Sequence, residues 1–194
     1  MPAMNNGVYM RRRIPVVATA ILVLNIIGYL IETVYGQGII TARFGMYQGA
    51  LGQNEWYRLI TSGFLHYGLT HISSNMICLM LFGTNYESAI GSVKFAIIYL
   101  ASLLGAGLLI NFFGGNGLHA GASGGVWGLM AAVLVYTLKN HGNPVNILKC
   151  IALNLVYSFT SSGVSWQGHI GGGLGGLIAA VILLNRPSGR RGSF

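Results

Sequence analysis

Six stretches of this chain are long, apolar and poor in charge: roughly 14–35, 66–84, 92–113, 122–138, 145–161 and 168–185. A helix that crosses the hydrocarbon core of a bilayer needs about 20 such residues. Inside lipid every backbone N–H and C=O must be bonded within the structure, so only helices and closed barrels span. The chain has 194 residues, 53% hydrophobic and only 7% charged, where a soluble domain carries about 25% charged residues. These figures exclude a soluble protein with a large core, and the length suits one compact bundle. The expected fold is an all-α membrane protein: a compact bundle of six transmembrane helices with a long interfacial first loop. That loop, 36–60, holds Gly36, Gly38, Gly45, Gly49 and Gly52 together with Glu55-Trp56-Tyr57-Arg58. Trp and Tyr favour the membrane–water boundary.

Three segments are expected: a short cytosolic N-terminal segment 1–13, a membrane domain 14–185 and a basic cytosolic tail 186–194. The first apolar run has no clear small-residue cleavage site and reads as a spanning helix rather than a leader peptide. The net charge is +8, but the positive residues flank helices instead of forming a stripe with interleaved aromatics, so no nucleic-acid partner is expected. With a cytosolic N-terminus, nine of the eleven Lys and Arg residues face the cytosol: Arg11, Arg12, Arg13, Lys94, Lys139, Lys149, Arg186, Arg190 and Arg191. Only Arg43 and Arg58 lie outside. Positive charge retained on the cytosolic side sets this orientation. Cys78 and Cys150 sit in apolar stretches and read as small buried hydrophobes. No Cys/His cluster has metal-ligand spacing, so neither metal nor cofactor is expected.

The polar residues within these stretches carry the functional argument, because polar groups in a membrane are costly and tend to be functional. In the expected topology helices two, four and six run in the same direction. Ser123 then lies at the outer end of helix four, His169 at the outer end of helix six, and His71 and Asn75 in the outer half of helix two. Taken singly, each has an ordinary packing role to offer; their shared depth is what one site explains. A serine becomes a nucleophile when a base takes its proton, and His169 is the base at matching depth. His71 and Asn75 are four apart, hence on one helical face. With the Ser123 backbone N–H they form candidate donors for an oxyanion. Trp127, four residues after Ser123, is placed to stack on the imidazole. Gly168, Gly172 and Gly176, with Gly121 and Gly125 and with Gly124 and Gly128, give helices four and six smooth faces for close approach. His66, five residues before His71, is expected to point elsewhere and to support the loop or line a water entry. Asn25, Asn154 and Ser158 read as packing polars.

Other chemistries fail on inventory. The chain has three acids, Glu32, Glu55 and Glu87, and no aspartate. An aspartyl dyad is therefore excluded, and a Ser–His dyad is a better reading than a triad. There is neither an HExxH zinc motif nor a GxxxxGK[ST] nucleotide loop.

The ordered motifs resemble the rhomboid intramembrane proteases. His66-Tyr67-Gly68-Leu69-Thr70-His71-Ile72-Ser73-Ser74-Asn75 is similar to their HxxxxHxxxN signature, Gly121-Ala122-Ser123-Gly124 to GxSG, and His169-Ile170-Gly171-Gly172 with Gly176 to HxxGxxxG. Tyr57-Arg58 resembles a first-loop Trp-Arg, and Glu87 with Gly91 resembles ExxxG. The resemblance implies that Ser123 attacks a peptide carbonyl, that His169 acts as base and then acid, and that His71 and Asn75 stabilise the oxyanion. It also implies single-span membrane proteins as substrates, cut near their outer ends, and a minimal, bacterial-type member without a seventh span. By the same resemblance the fifth helix and the loop Ser161–Gln167 correspond to a gate and cap. Where the family has Tyr or Phe four residues after the serine, this chain has Trp127. Two rival readings are a catalytically inactive relative that binds membrane clients and a small-solute channel. The first would be expected to lack Ser or His, and the second lacks broken-helix pairs and repeats.

Overall fold

The computed structural model describes residues 14–160 and 164–185. The segments 1–13 and 186–194, with their basic residues, and residues 161–163 of the expected cap lie outside that range. The described chain is helical throughout, with one isolated antiparallel bridge between Met46 and His119. Helix α1 (Val16–Tyr35) leads into the first loop, which contains α2 (Gln37–Phe44), a 3₁₀ turn at Ala50–Gln53 and α3 (Arg58–Thr61). A continuous helical run follows: α4 (Leu69–Cys78), a π-helical stretch Leu79–Thr84 and α5 (Asn85–Ile90). Four longer helices complete the bundle: α6 (Ser92–Phe113), α7 (Ser123–Lys139), α8 (Val145–Thr160) and α9 (Trp166–Leu184).

Most of each apolar stretch lies on helix among the described residues, and the fold is an all-α membrane bundle. By length and composition, α1, α6 and α9 are sufficient to cross a bilayer, and α7 and α8 are shorter apolar helices. The second stretch differs from its expected bounds. Its helix starts at Leu69, after Gly68 turns the chain at φ +100°, and runs to Ile90. Glu87, beyond the expected end of this stretch at 84, is thereby within a helix.

Glu87 explains how α1 is anchored. The N-cap of α1 is Pro15, which offers no side-chain acceptor. Its first N–H groups would be orphans. The buried Glu87 carboxylate accepts from Val17 N (3.0 Å) and Ala18 N (2.7 Å), and also receives the Ser92 hydroxyl. A carboxylate at a helix N-terminus also meets the positive end of the helix dipole. Replacing Glu87 by Ala leaves one buried and one partly buried donor unpaired, and a hydrogen bond to a charged group contributes about 1.5–3 kcal/mol. The expected result is a loss of about 3 kcal/mol, read as an earlier unfolding transition in detergent micelles.

At the centre, α9 packs against both α6 and α7. Glycines permit contact of backbone with backbone: Gly105 faces Gly171, Gly124 faces Gly172, and Gly128 faces Gly176. This ladder fixes the relative height of α7 and α9, and therefore of the first residues of each.

Candidate active site

Ser123 is the first residue of α7, and His169 stands in the first turn of α9. The turn before Ser123 is held by Gly121 N donating to Ser62 O at 2.9 Å and by Ala122 N directed at His66 Nε2 at 3.5 Å. The first turn of α9 is capped by Ser165, whose hydroxyl accepts from Gly168 N at 3.2 Å. One residue inward from Ser123, a Cβ on Gly124 would lie 3.3 Å from Gly168 O. Ser123 and His169 are thus the neighbours in sequence of two glycines, Gly124 and Gly168, at which the two helices meet. Among the described residues no hydrogen bond closes between them. Catalytic hydrogen bonds of unliganded sites are often long and tighten when substrate binds.

The imidazole of His169 is held on two sides. Trp127 stacks on it, with ring centroids 5.4 Å apart and planes inclined by 21°. Its Nδ1 lies 2.6 Å from Ser158 Oγ on α8. Ser158 is buried, while most of the C-terminal half of α8 around it is exposed. The packing role expected of Ser158 from sequence is therefore incomplete: it back-bonds to Asn154 O at 2.7 Å, as expected of a helical serine, but also touches the candidate base. None of the three acids approaches His169 with a hydrogen bond. Glu32 accepts from His66 N (2.7 Å) and Thr41, and Glu87 caps α1. Glu55 pairs with Arg58 at 2.9 Å and receives the hydroxyl of Tyr47. The hydrogen bond from Arg58 holds the Glu55 carboxyl below its usual range.

His71 faces the same place as Ser123. Its Nδ1 accepts from Tyr67 N at 3.2 Å, so its hydrogen resides on Nε2 and points outward as a donor. Gly121 marks the spot. Its φ of +140° disfavours any side chain, and a Cβ there would lie 2.9 Å from His71 Nε2 and 3.6 Å from Ser123 Oγ. The His71 ring thus packs against the Gly121 backbone, and its Nε2–H donor and the Ser123 hydroxyl both come close to this glycine. Asn75 is buried, with its amide donating to His71 O at 3.1 Å; its second amide hydrogen is left for another acceptor. His66 differs from expectation. The five-residue spacing predicts divergence from His71, yet the two rings meet edge to face at 5.0 Å. The reason is that His66 precedes α4, so helical periodicity does not apply to it.

A cavity of about 30 Å³ lies behind Ser123, lined in part by Ser62, His119, Gly121 and Ser165. That is room for a water molecule. His119 does not reach Ser123 with a hydrogen bond. Its backbone bridges to Met46, and its Nε2 donates to Gly114 O at 2.9 Å. Burial pushes its ring below the ordinary histidine range. Leu59, from α3 in the first loop, lines the same cavity. Arg58 is buried in that loop, donates to Ala42 O and Gly45 O, and lies over the Tyr47 ring at 5.0 Å. Among the described residues no cluster of His, Cys, Asp or Glu is arranged to hold a metal.

Comparison with known proteins gives a consistent result. A family model described as Rhomboid domain matches residues 53–186. Rhomboid protease GluP of Bacillus subtilis is 37% identical over 146 residues, covering 72% of this chain and 29% of that protein. RHOMBOID-like protein 6, mitochondrial, of Arabidopsis thaliana is 36% identical over 144 residues, covering 69% of this chain and 46% of that one. YdcA of Bacillus subtilis, named only provisionally as a rhomboid protease, is 26% identical over 188 residues, covering 90% of this chain and 92% of that one. The chain spans less than half the length of GluP and of the plant relative.

Proposed function

This chain belongs to the rhomboid family, and on that footing we propose that it is an intramembrane serine endopeptidase working through a Ser123–His169 dyad. The observation that carries the reading is the meeting of the Ser123 hydroxyl and the His71 Nε2–H donor at Gly121, at the start of a helix that abuts the one bearing His169. Ser123 Oγ attacks the carbonyl carbon of a substrate peptide, and its proton passes to His169 Nε2. The oxyanion then meets His71 Nε2–H and the Ser123 N–H at the unsatisfied N-terminus of α7. Asn75 contributes its remaining amide hydrogen. His169 returns the proton to the leaving amine, and a water drawn from the cavity behind Ser123 hydrolyses the acyl-enzyme. Trp127 holds the imidazole plane, and His66, Gly121 and Gly124 support the turn and the close helix contact.

The substrates are single-span membrane proteins, cut near the extracytoplasmic face, with both termini of this chain cytosolic and six crossings in all. The charge distribution supports that orientation. Reconstituted protein incubated with a panel of single-span substrates is expected to release two fragments, with the cut mapped by mass spectrometry close to the outer end of the span. Client capture without any cut would favour an inactive, client-binding member. Solute flux that survived Ser123→Ala would favour a channel.

A further inference from the structure

We propose that Ser158 is a positioning residue for the base, acting as a neutral third partner that fixes the tautomer of His169. The inference rests on the protease reading for its catalytic consequence. The argument is one of hydrogen count. A serine hydroxyl has one hydrogen to donate. That of Ser158 is directed at Asn154 O, 2.7 Å away on the same helix. At 2.6 Å from His169 Nδ1, Ser158 Oγ must therefore accept. Nδ1 carries the hydrogen, and the lone pair of the ring lies on Nε2. That is the tautomer able to take a proton from Ser123. The opposite tautomer would present an N–H to the nucleophile and could accept nothing.

No carboxylate is available for this task, since Glu32, Glu55 and Glu87 are engaged elsewhere. Trp127 fixes the plane of the ring by stacking, but a stacked ring can still exchange its tautomers or flip by half a turn. Ser158 adds the missing in-plane contact. When Ser123 O–H gives its proton to Nε2, the Nδ1–H bond to Ser158 Oγ persists in the imidazolium, and Ser158 keeps its own hydrogen on Asn154 O. No proton passes to Ser158. The contact also joins two helices: the tautomer of a base on α9 is set by a hydroxyl on α8, so the base is fully prepared only when the outer end of α8 is seated.

Two measurements test this. The first is ¹⁵N NMR of the full chain with labelled histidine in micelles, with His169 assigned by comparison with His169→Gln. Near neutral pH the wild type is expected to show Nδ1 protonated and Nε2 bare, and Ser158→Ala is expected to show exchange between the two tautomers. An Nε2–H tautomer in the wild type overturns the proposal, and so does a spectrum unchanged in Ser158→Ala. The second is kinetic. Ser158→Ala is expected to lower kcat about tenfold, the size of one lost hydrogen bond to a group that becomes charged, with KM within about twofold, as befits an interaction made in the transition state. Ser158→Thr is expected to recover kcat to within about threefold, because a helical threonine can make the same back-bond. Wild-type kcat in Ser158→Ala overturns the proposal. Cleavage that persisted in Ser123→Ala would instead overturn the protease reading, while the NMR arm would still report on Ser158 and His169.

Discussion

Ser123→Ala is expected to abolish labelling by a fluorophosphonate probe and to lower substrate cleavage by about 10⁵–10⁶-fold, the range seen when a hydrolase loses its nucleophile. The same substitution is expected to leave stability within about 0.5 kcal/mol of the wild type, as for substitutions away from packing and hydrogen-bond networks. The second half follows from the structure. Ser123 is half-buried, and among the described residues its Oγ makes no hydrogen bond. Alanine is also the better helix former. A structural serine would behave in the opposite way, with its loss felt in unfolding and not in chemistry. His169→Ala should share the loss of turnover without sharing the stability result, because the imidazole is buried between Trp127 and Ser158. Retained labelling in Ser123→Ala would remove Ser123 as the nucleophile, whatever the family.

The sequence made some of this legible and hid the rest for identifiable reasons. Hydropathy finds α1, α6 and α9 because each combines length with a nearly uniform apolar surface. The second stretch is less distinct, since a polar start is followed by the π-helical stretch Leu79–Thr84, and neither follows a regular apolar period. Trp127 is visible as a partner of the site because it stands four residues from Ser123 on the same helix. Ser158 is not visible in that way. Its partner His169 lies on another helix, 11 residues on in sequence, and a serine that back-bonds to its own helix has the same local sequence with or without such a partner. His66 misleads for a related reason. Helical spacing assigns it a direction, but the helix starts only after Gly68, and a single left-handed φ upstream of α4 turns its ring onto His71. Arg58 is visible as a motif residue. Its burial against the rings of Tyr47 and Tyr57 is a tertiary fact that no local pattern encodes.

The glycine pattern supports the strongest stability prediction. Gly172→Ala is expected to destabilise the protein by at least about 3 kcal/mol, at the upper end for overpacking, and to lower activity along with it. A Cβ on Gly172 would lie 2.6 Å from the Gly124 carbonyl carbon and 2.8 Å from Gly124 Cα. These are backbone atoms of a helix and cannot rotate away as a side chain would, so α7 and α9 must separate. Separation also loosens the α6 contact with α9, where Gly105 meets Gly171. It displaces the first turn of α9, which carries His169, relative to Ser123. A small shift of that kind is enough to cost catalysis by misplacing a base. Gly38→Ala provides the control. It makes the same chemical change within α2, where a Cβ would meet nothing within 4 Å and the φ is ordinary for a helix. Replacing a helical glycine by alanine in open space stabilises by about 0.5–1 kcal/mol. The two variants should therefore move the unfolding transition in opposite directions. If instead both shifted it equally, the close contact of α7 with α9 would not be what sets the height of His169 against Ser123.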